Sequence, residues 1–214
     1  VSNPLQYLPM TTDNLTAFVL AGGKSSRMGA DKAALDLAGR TLLEHALATL
    51  RLVADKVFIL GSKQRYGGYG AEAVEDIFPD CGPLGGIHAA LKQGQAACNL
   101  IVAVDTPFLS ADFLHYLAQR SQESGAVVTT PEIAGYTQPL CAVYSPEFLP
   151  LAEKALQSGV YKIATLFPMD GTLRIPESEM AQFAFSAEMF ENLNTPQDLE
   201  RARQRFTEKA EKKT

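Results

Sequence analysis

The sequence predicts a single α/β domain built on one doubly wound, mostly parallel sheet. Three observations lead to that class. Several short segments, among them TAFVL, KVFIL and NLIVAV, are continuously apolar, as strands covered on both faces must be. Stretches with helical spacing of apolar residues separate them, the pattern of a parallel sheet flanked by helices. The expected strand ends carry Gly22-Gly23, Gly61-Ser62, Asp76 and Asp105. Ligands in such folds sit beyond the carboxyl ends of the strands, so these residues mark the expected site.

The elements follow in order. Residues 1–13 read as a loose tail and residues 14–208 as the domain, with no internal repeat or linker. Residues 16–20 form the first buried strand. Residues 41–50 form a helix with Leu43, Ala46, Leu47 and Leu50 on one face. Residues 56–60 make the second strand, and a glycine-rich turn at 67–70 leads to a short strand at 73–77. The loop FPDCGPLGG then opens a helix that runs to about Gln93. Residues 99–104 are the third strongly apolar strand, followed by a helix with Ser110 as N-cap. Further strands are expected at 126–130 and 138–144, helices at 146–157 and 161–167, and strands at 172–175 and 190–193. A last helix starts at Thr195-Pro196, where Thr caps and Pro suits the first turn. Residues 209–214 read as a frayed end.

Length and composition bound the function. The 214 residues suffice for one sizeable core, and 46% hydrophobic with 20% charged residues excludes disordered and fibrous classes. A net charge of −5 argues against a broad nucleic-acid surface but leaves room for a local cationic pocket. No apolar run reaches the ~18–20 residues that span a bilayer, and the first residues lack the pattern of a secretory signal. Cys81, Cys98 and Cys141 are too scattered for a disulfide framework or zinc site and read as core residues of a protein in a reducing, cytoplasmic compartment. His45, His88 and His115 lie on predicted helices with no triad-like Ser or Cys nearby, and read as structural.

The segment from Leu20 to Lys32 is the most informative. Its thirteen residues carry three glycines, two serines and the cations Lys24, Arg27 and Lys32 directly after a buried strand. Small residues let backbone N–H groups approach an anion, and the cations neutralise it, so the loop reads as a polyphosphate cradle. Neither a Walker A sequence nor G-x-G-x-x-G is present, which argues against a P-loop enzyme or a nicotinamide oxidoreductase. Asp105, on the last turn of a buried strand before Thr106-Pro107, is placed to hold Mg²⁺, an ion that takes one or two carboxylates plus substrate oxygens. Asp76, ahead of Gly85-Gly86, can accept from ribose hydroxyls or base N–H groups, whereas Glu75 is expected to face the other way. Asn192 and Asn194 are expected on one side of a short strand, where their amides can meet a phosphate or a metal.

The opening motif L-A-G-G-x-S-x-R-M-G-x-D-K resembles that of the molybdenum cofactor guanylyltransferases, met here by Leu20, Ala21, Gly22, Gly23, Ser25, Arg27, Met28, Gly29, Asp31 and Lys32. The resemblance continues through the E-D…G-P-L-x-G stretch at Glu75-Asp76, the D-x-P-F-L element at Asp105 and the N-x-N-T-P-x-D-L element at Asn192. It implies a Rossmann-like nucleotidyltransferase fold and Mg²⁺-dependent transfer of GMP from GTP to the terminal phosphate of molybdopterin, releasing pyrophosphate. By that resemblance Leu20, Ala21, Gly22, Gly23, Lys32, Gly61, Asp76 and Asp105 bind nucleotide, with the Ala21–Gly23 amides as donors. Arg27 serves the leaving phosphates, Lys32 the α-phosphate and Asp105 the metal. Gln138, Asn192 and Asn194 line the acceptor side, and transient contacts with cofactor-synthesis proteins are implied. Gly61-Ser62 departs from the family, which often places asparagine there to meet the guanine. That departure leaves open another small nucleotidyltransferase, such as a cytidylyltransferase acting on the same acceptor or a sugar- or polyol-phosphate enzyme. A nucleotide-binding module without catalysis is the other alternative.

Overall fold

The apolar run after Asn14 becomes β1 (Leu15–Leu20), and it lies in the interior of the sheet because both its faces are covered. This computed structural model describes residues 14–22 and 31–211; the expected tail at 1–13 lies outside them. On one side β1 pairs in parallel with β4 (Lys56–Leu60), which pairs with β5 (Glu72–Val74). On its other side it pairs in parallel with β6 (Cys98–Ala103). Beyond β6 come β9 (Cys141–Tyr144), β7 (Val128–Ile133) and β10 (Thr172–Pro176), giving the order β10-β7-β9-β6-β1-β4-β5.

Alternation along the strands builds two cores. Leu15, Ala17 and Val19 face α1 (Leu42–Leu50) and α4 (Ala111–Ser124), packing with Leu43, Leu47, Leu50, Phe113 and Leu117. Phe18, Leu60 and Ile101 face α3 (Pro83–Gln93) and α5 (Leu149–Gln157), packing with Ile87, Leu91 and Leu156. The sheet is thus doubly wound. Thr41 and Glu44 form a reciprocal capping box at the start of α1. Ser110 caps α4 as its sequence implies.

β9 runs antiparallel to both β6 and β7. The physical reason is the link from β7, since a parallel return needs a crossover of about a dozen residues or more. Here the chain turns at Ala134 and Gly135, both at positive φ, and β8 (Tyr136–Thr137) folds back on β7 as a two-residue hairpin. The expected strand at 138–144 therefore begins only at Cys141.

Other expectations need correction. Residues 190–193 form no strand; a 3₁₀ turn at Ala187–Phe190 is followed by chain tied to the carboxyl end of β6, in the middle of the sheet, by Leu193 N–H to Asp105 C=O, 2.9 Å. The strand expected at 73–77 stops at Val74, whose carbonyl accepts from Gly61 N–H. Residues 161–167 hold only a 3₁₀ turn at Ile163–Leu166, ahead of Pro168. The helix expected over 146–157 divides between Phe148 and Leu149 into a 3₁₀ turn (Pro146–Phe148) and α5, whose first turn holds Pro150, a residue with no N–H to donate back into the preceding turn. A hairpin of β2 (Asp36–Leu37) and β3 (Arg40–Thr41), turning at Ala38-Gly39, and short helices α2 (Lys63–Tyr66) and α6 (Glu177–Gln182) were not expected. The last helix, α7 (Pro196–Glu211), passes the boundary at 208 because Glu, Lys and Ala are good helix formers. Cys98 and Cys141 are buried, but Cys81 is only half-buried in the loop before α3. No helix among the described residues is long and apolar enough to cross a membrane.

Candidate active site

The carboxyl ends of β6, β1 and β4 lie side by side and support two neighbouring groups of residues. In the first, the Lys32 ammonium donates to Asp105 Oδ2 and to Asn194 Oδ1, each at 2.7 Å. Both partners of the ion pair are half-buried, with side chains 19% exposed. Three chain segments far apart in sequence thus converge on one cation.

Each segment is held by local chemistry. Asp31 caps the 3₁₀ turn Lys32–Ala34 through Ala33 N–H. Its carboxylate also accepts from the Tyr66 hydroxyl at 2.9 Å, and that hydroxyl lies 3.1 Å from the Ala21 carbonyl. Burial first, and then Asp31, push the Tyr66 phenol up to about 12, so it stays a donor at any ordinary pH. Asp105 is fixed through its backbone by Leu193, while Val104 N–H donates to Leu20 C=O. Asn194 is set by the start of α7, where Asp198 accepts from Asn194 and Thr195 N–H and the Thr195 hydroxyl accepts from Asp198 N–H. Those donors, Thr195 foremost, hold the Asp198 carboxyl below its usual range.

The second group lines an open cleft of about 650 Å³ over the ends of β4 and β5 and the start of α3. Leu20, Gly22, Gly61 and Asp76, four predicted residues, line it together with Ser62 and Glu75. The size is that of a small-molecule site. Glycines make the walls possible. A Cβ on Gly86 would meet Leu20 Cδ1 at 2.4 Å, and one on Gly85 would meet Phe78 O at 2.8 Å and Asp76 Oδ2 at 3.2 Å. The Asp76 carboxylate therefore rests against the bare first turn of α3, and burial pushes its pKa up. At Gly61 a Cβ would sit 2.7 Å from the Tyr66 ring.

The remaining predicted residues fare differently. Gly23 and Arg27 lie outside the described residues. The Ala21 and Gly22 amides, expected to face the nucleotide, both donate to the Leu60 carbonyl (3.1 and 3.0 Å) and zip the loop to β4. The Gln138 side chain donates to the Tyr136 carbonyl and is not among the partners of Lys32. Asn192 and Asn194 do not share a strand face. Asn192 lines a separate recess of about 150 Å³ against α7, with Arg201 and Arg205. Glu75 leaves the strand end on the α2 side, away from Asp76, and accepts Lys63 N–H at 3.0 Å; it nevertheless lines the cleft as well. Tyr66 was missed altogether, because nothing local in KQRYGG distinguishes a tethering phenol from a surface one.

The donor set fits a hard divalent cation. Asp105 and Asn194 present a carboxylate and an amide oxygen to one point, and that point already attracts a positive atom, Lys32 Nζ. Carboxylate, amide and ammonium beside the cleft together suit the handling of a phosphorylated ligand.

Comparison with known proteins agrees in kind. Residues 17–167 match the family model of the MobA-like NTP transferase domain. A probable molybdenum cofactor guanylyltransferase of Pelotomaculum thermopropionicum is 34% identical over 189 residues, covering 88% of this chain and 91% of that protein. One from Carboxydothermus hydrogenoformans is 33% identical, covering 88% and 94%. The crystal structure of molybdopterin-guanine dinucleotide biosynthesis protein A from Archaeoglobus fulgidus superposes with a TM-score of 0.79 at 27% identity, covering 90% of this chain and 99% of that one.

Proposed function

Because the chain belongs to the MobA-like NTP transferase family, we propose that it is a molybdenum cofactor guanylyltransferase, transferring GMP from GTP to the terminal phosphate of molybdopterin. The observation that carries this reading is the convergence of Asp105 and Asn194 on the Lys32 ammonium, next to a nucleotide-sized cleft.

An oxygen of the acceptor phosphate attacks the α-phosphorus of GTP. The new P–O bond forms as the bond to the bridging oxygen breaks, and pyrophosphate leaves with that electron pair. The acceptor phosphate is already ionised at neutral pH, so no general base is required. The protein's work is positioning and charge stabilisation. Lys32 exchanges Asp105 for the α-phosphate, Arg27 meets the leaving phosphates, and the loop containing Gly22 and Gly23 encloses the chain of phosphates. Asp76 accepts from the nucleoside, while Asn194 and Gln138 form the acceptor side. Asp105, with Asn194, would hold Mg²⁺, which when bound would stabilise charge on the phosphate oxygens. Contacts with other cofactor-synthesis proteins in the cytoplasm would pass the product on.

Pyrophosphate release tests the reading directly. With Mg²⁺ and molybdopterin, GTP is expected to support turnover and CTP, ATP and UTP to support far less. Asp105→Ala is expected to lose at least about 10²-fold in kcat, with an unchanged circular dichroism spectrum. Preference for CTP would replace guanylyl by cytidylyl transfer, and full activity of the variant would remove Asp105 from the mechanism.

A further inference from the structure

At the β4–β5 end of the cleft, Gly61 has no side chain to offer, and Tyr66 fills the space where one would begin. Ser62 and Glu75 follow these strand ends and both line the cleft, as do Asp76 and, from the loop before α3, Asp80. Ser62 stands at the N-cap of α2 yet makes no capping bond, and its hydroxyl has no partner among the described residues. Glu75 supplies the contact to α2 in its place, with Oε1 accepting Lys63 N–H at 3.0 Å. That bond pins the carboxylate. Oε1 keeps a second lone pair, and Oε2 has no hydrogen-bond partner among the described residues. An oriented carboxylate and an uncommitted hydroxyl therefore stand together on one wall. Asp76 stands on the other side of the strand end, against α3.

Guanine carries two adjacent donors, N1–H and the 2-amino group, beside the acceptor O6. Adenine and cytosine place an acceptor nitrogen where guanine has N1–H, and a carboxylate repels it. We propose that Glu75 and Ser62 select the base: the Glu75 carboxylate accepts from N1–H and the 2-amino group, and the Ser62 hydroxyl donates to O6. The assignment rests on the GTP reading above and deepens it by naming what makes the site specific. A site built around such donors rejects analogues that lack them.

The test is the set of dissociation constants of the full chain for GTP, ITP, XTP, CTP and ATP, each with Mg²⁺. ITP lacks the 2-amino group, and XTP carries a carbonyl in its place. The unsubstituted protein is expected to bind GTP about tenfold or more tighter than ITP, since the lost bond is one to a charged acceptor. Glu75→Gln keeps an acceptor for Lys63 N–H and so preserves α2. It is expected to bring the GTP:ITP ratio down to about twofold or less and to raise XTP relative to GTP by about tenfold, because its amide donates to the xanthine carbonyl. Ser62→Ala breaks no described hydrogen bond of the fold. It is expected to weaken GTP and ITP together by about three- to tenfold, leaving their ratio unchanged. If Glu75→Gln keeps the original ratios or weakens every nucleotide equally, Glu75 only supports α2 and the assignment is overturned while the GTP reading stands. Unchanged GTP affinity in Ser62→Ala overturns the role of the hydroxyl, even if the glutamine variant does not fold. A protein that binds GTP no better than CTP or ATP overturns both this assignment and the guanylyl reading.

Discussion

Lys32 holds partners 73 and 162 positions away in the chain, and both are oxygens. A partly exposed ion pair of this kind contributes little to folding, typically below about 1 kcal/mol. Its value lies in exchange. An incoming phosphate can take the place of the carboxylate on the ammonium without leaving a cation unpaired, and charge-assisted bonds of this type are strong. Asp76 presents the opposite case. Its carboxyl is pushed up by burial, so the ionised form is disfavoured in the folded apo protein. Below the unfolded value, about 3.9, the acid is neutral in both states and costs nothing; above the raised folded value the penalty is complete. Asp76→Asn is therefore expected to raise Tm at pH 7, with the gain shrinking on acidification through that window, and to weaken nucleotide binding. Thermal scans at pH 7 and pH 3.5 check the sign, and a variant less stable at pH 7 would contradict it. Asp76 and Asp105 were legible as strand-end acids in a sheet of this class, because position alone makes them candidates. Glu75 and Tyr66 were not, since a helix contact from the next strand and a phenol tether are long-range contacts.

At the level of elements, the site depends on how closely α3 lies against β1. Gly85 and Gly86 remove two side chains from its first turn, so that Leu20 and Asp76 can occupy the space. Gly86→Ala would put a Cβ within 2.4 Å of Leu20 Cδ1. Leu20 lines the cleft, so moving its terminus aside alters the cleft wall, and the expected cost is about 1–3 kcal/mol of stability together with weaker nucleotide binding. Urea unfolding measures the first and a GTP titration the second; a variant unchanged in both would show that the close packing is not needed. The glycine pair signalled a tight helix start in the sequence. The strand expected at 190–193 failed because the segment neither alternates nor pairs: Phe190 and Leu193 are buried with Glu191 and Asn192 both exposed between them, and one bond to Asp105 C=O anchors the segment where a strand needs a ladder. The same single bond nevertheless delivers Asn194 to Lys32. β9 shows a related limit, since its apolar run predicted a buried strand correctly while its direction was set by the hairpin turn at Ala134-Gly135.

Across the whole molecule, the two cores meet the sheet from opposite sides, and the α3–α5 side contains an uncompensated polar group. The His88 side chain is only 1% exposed, stacks edge-on with Phe78, and has no hydrogen-bond partner on either ring nitrogen among the described residues. Glu153 lies 3.8 Å away and pairs also with Lys92. Burial, outweighing Glu153, pushes the His88 pKa down, so the folded state keeps the ring neutral. The unfolded chain takes up that proton below about 6.5, so stability is lost as pH falls from there toward the lower folded value. His88→Leu is expected to flatten the fall of Tm between pH 6.5 and 5, and an undiminished slope would assign it to other groups.

What the sequence determined by itself is what local chemistry encodes. Apolar runs and helical periodicity set the doubly wound class, and the motif from Leu20 to Lys32 set the kind of ligand. What only the tertiary structure decided is which side chains meet. Strand direction at β9, the separation of Asn192 from Asn194, the capture of Lys32 by Asp105 and the turning of Glu75 into the cleft all depend on contacts between distant segments. Periodicity reports which face of an element is buried; it holds no record of what the neighbouring element places opposite.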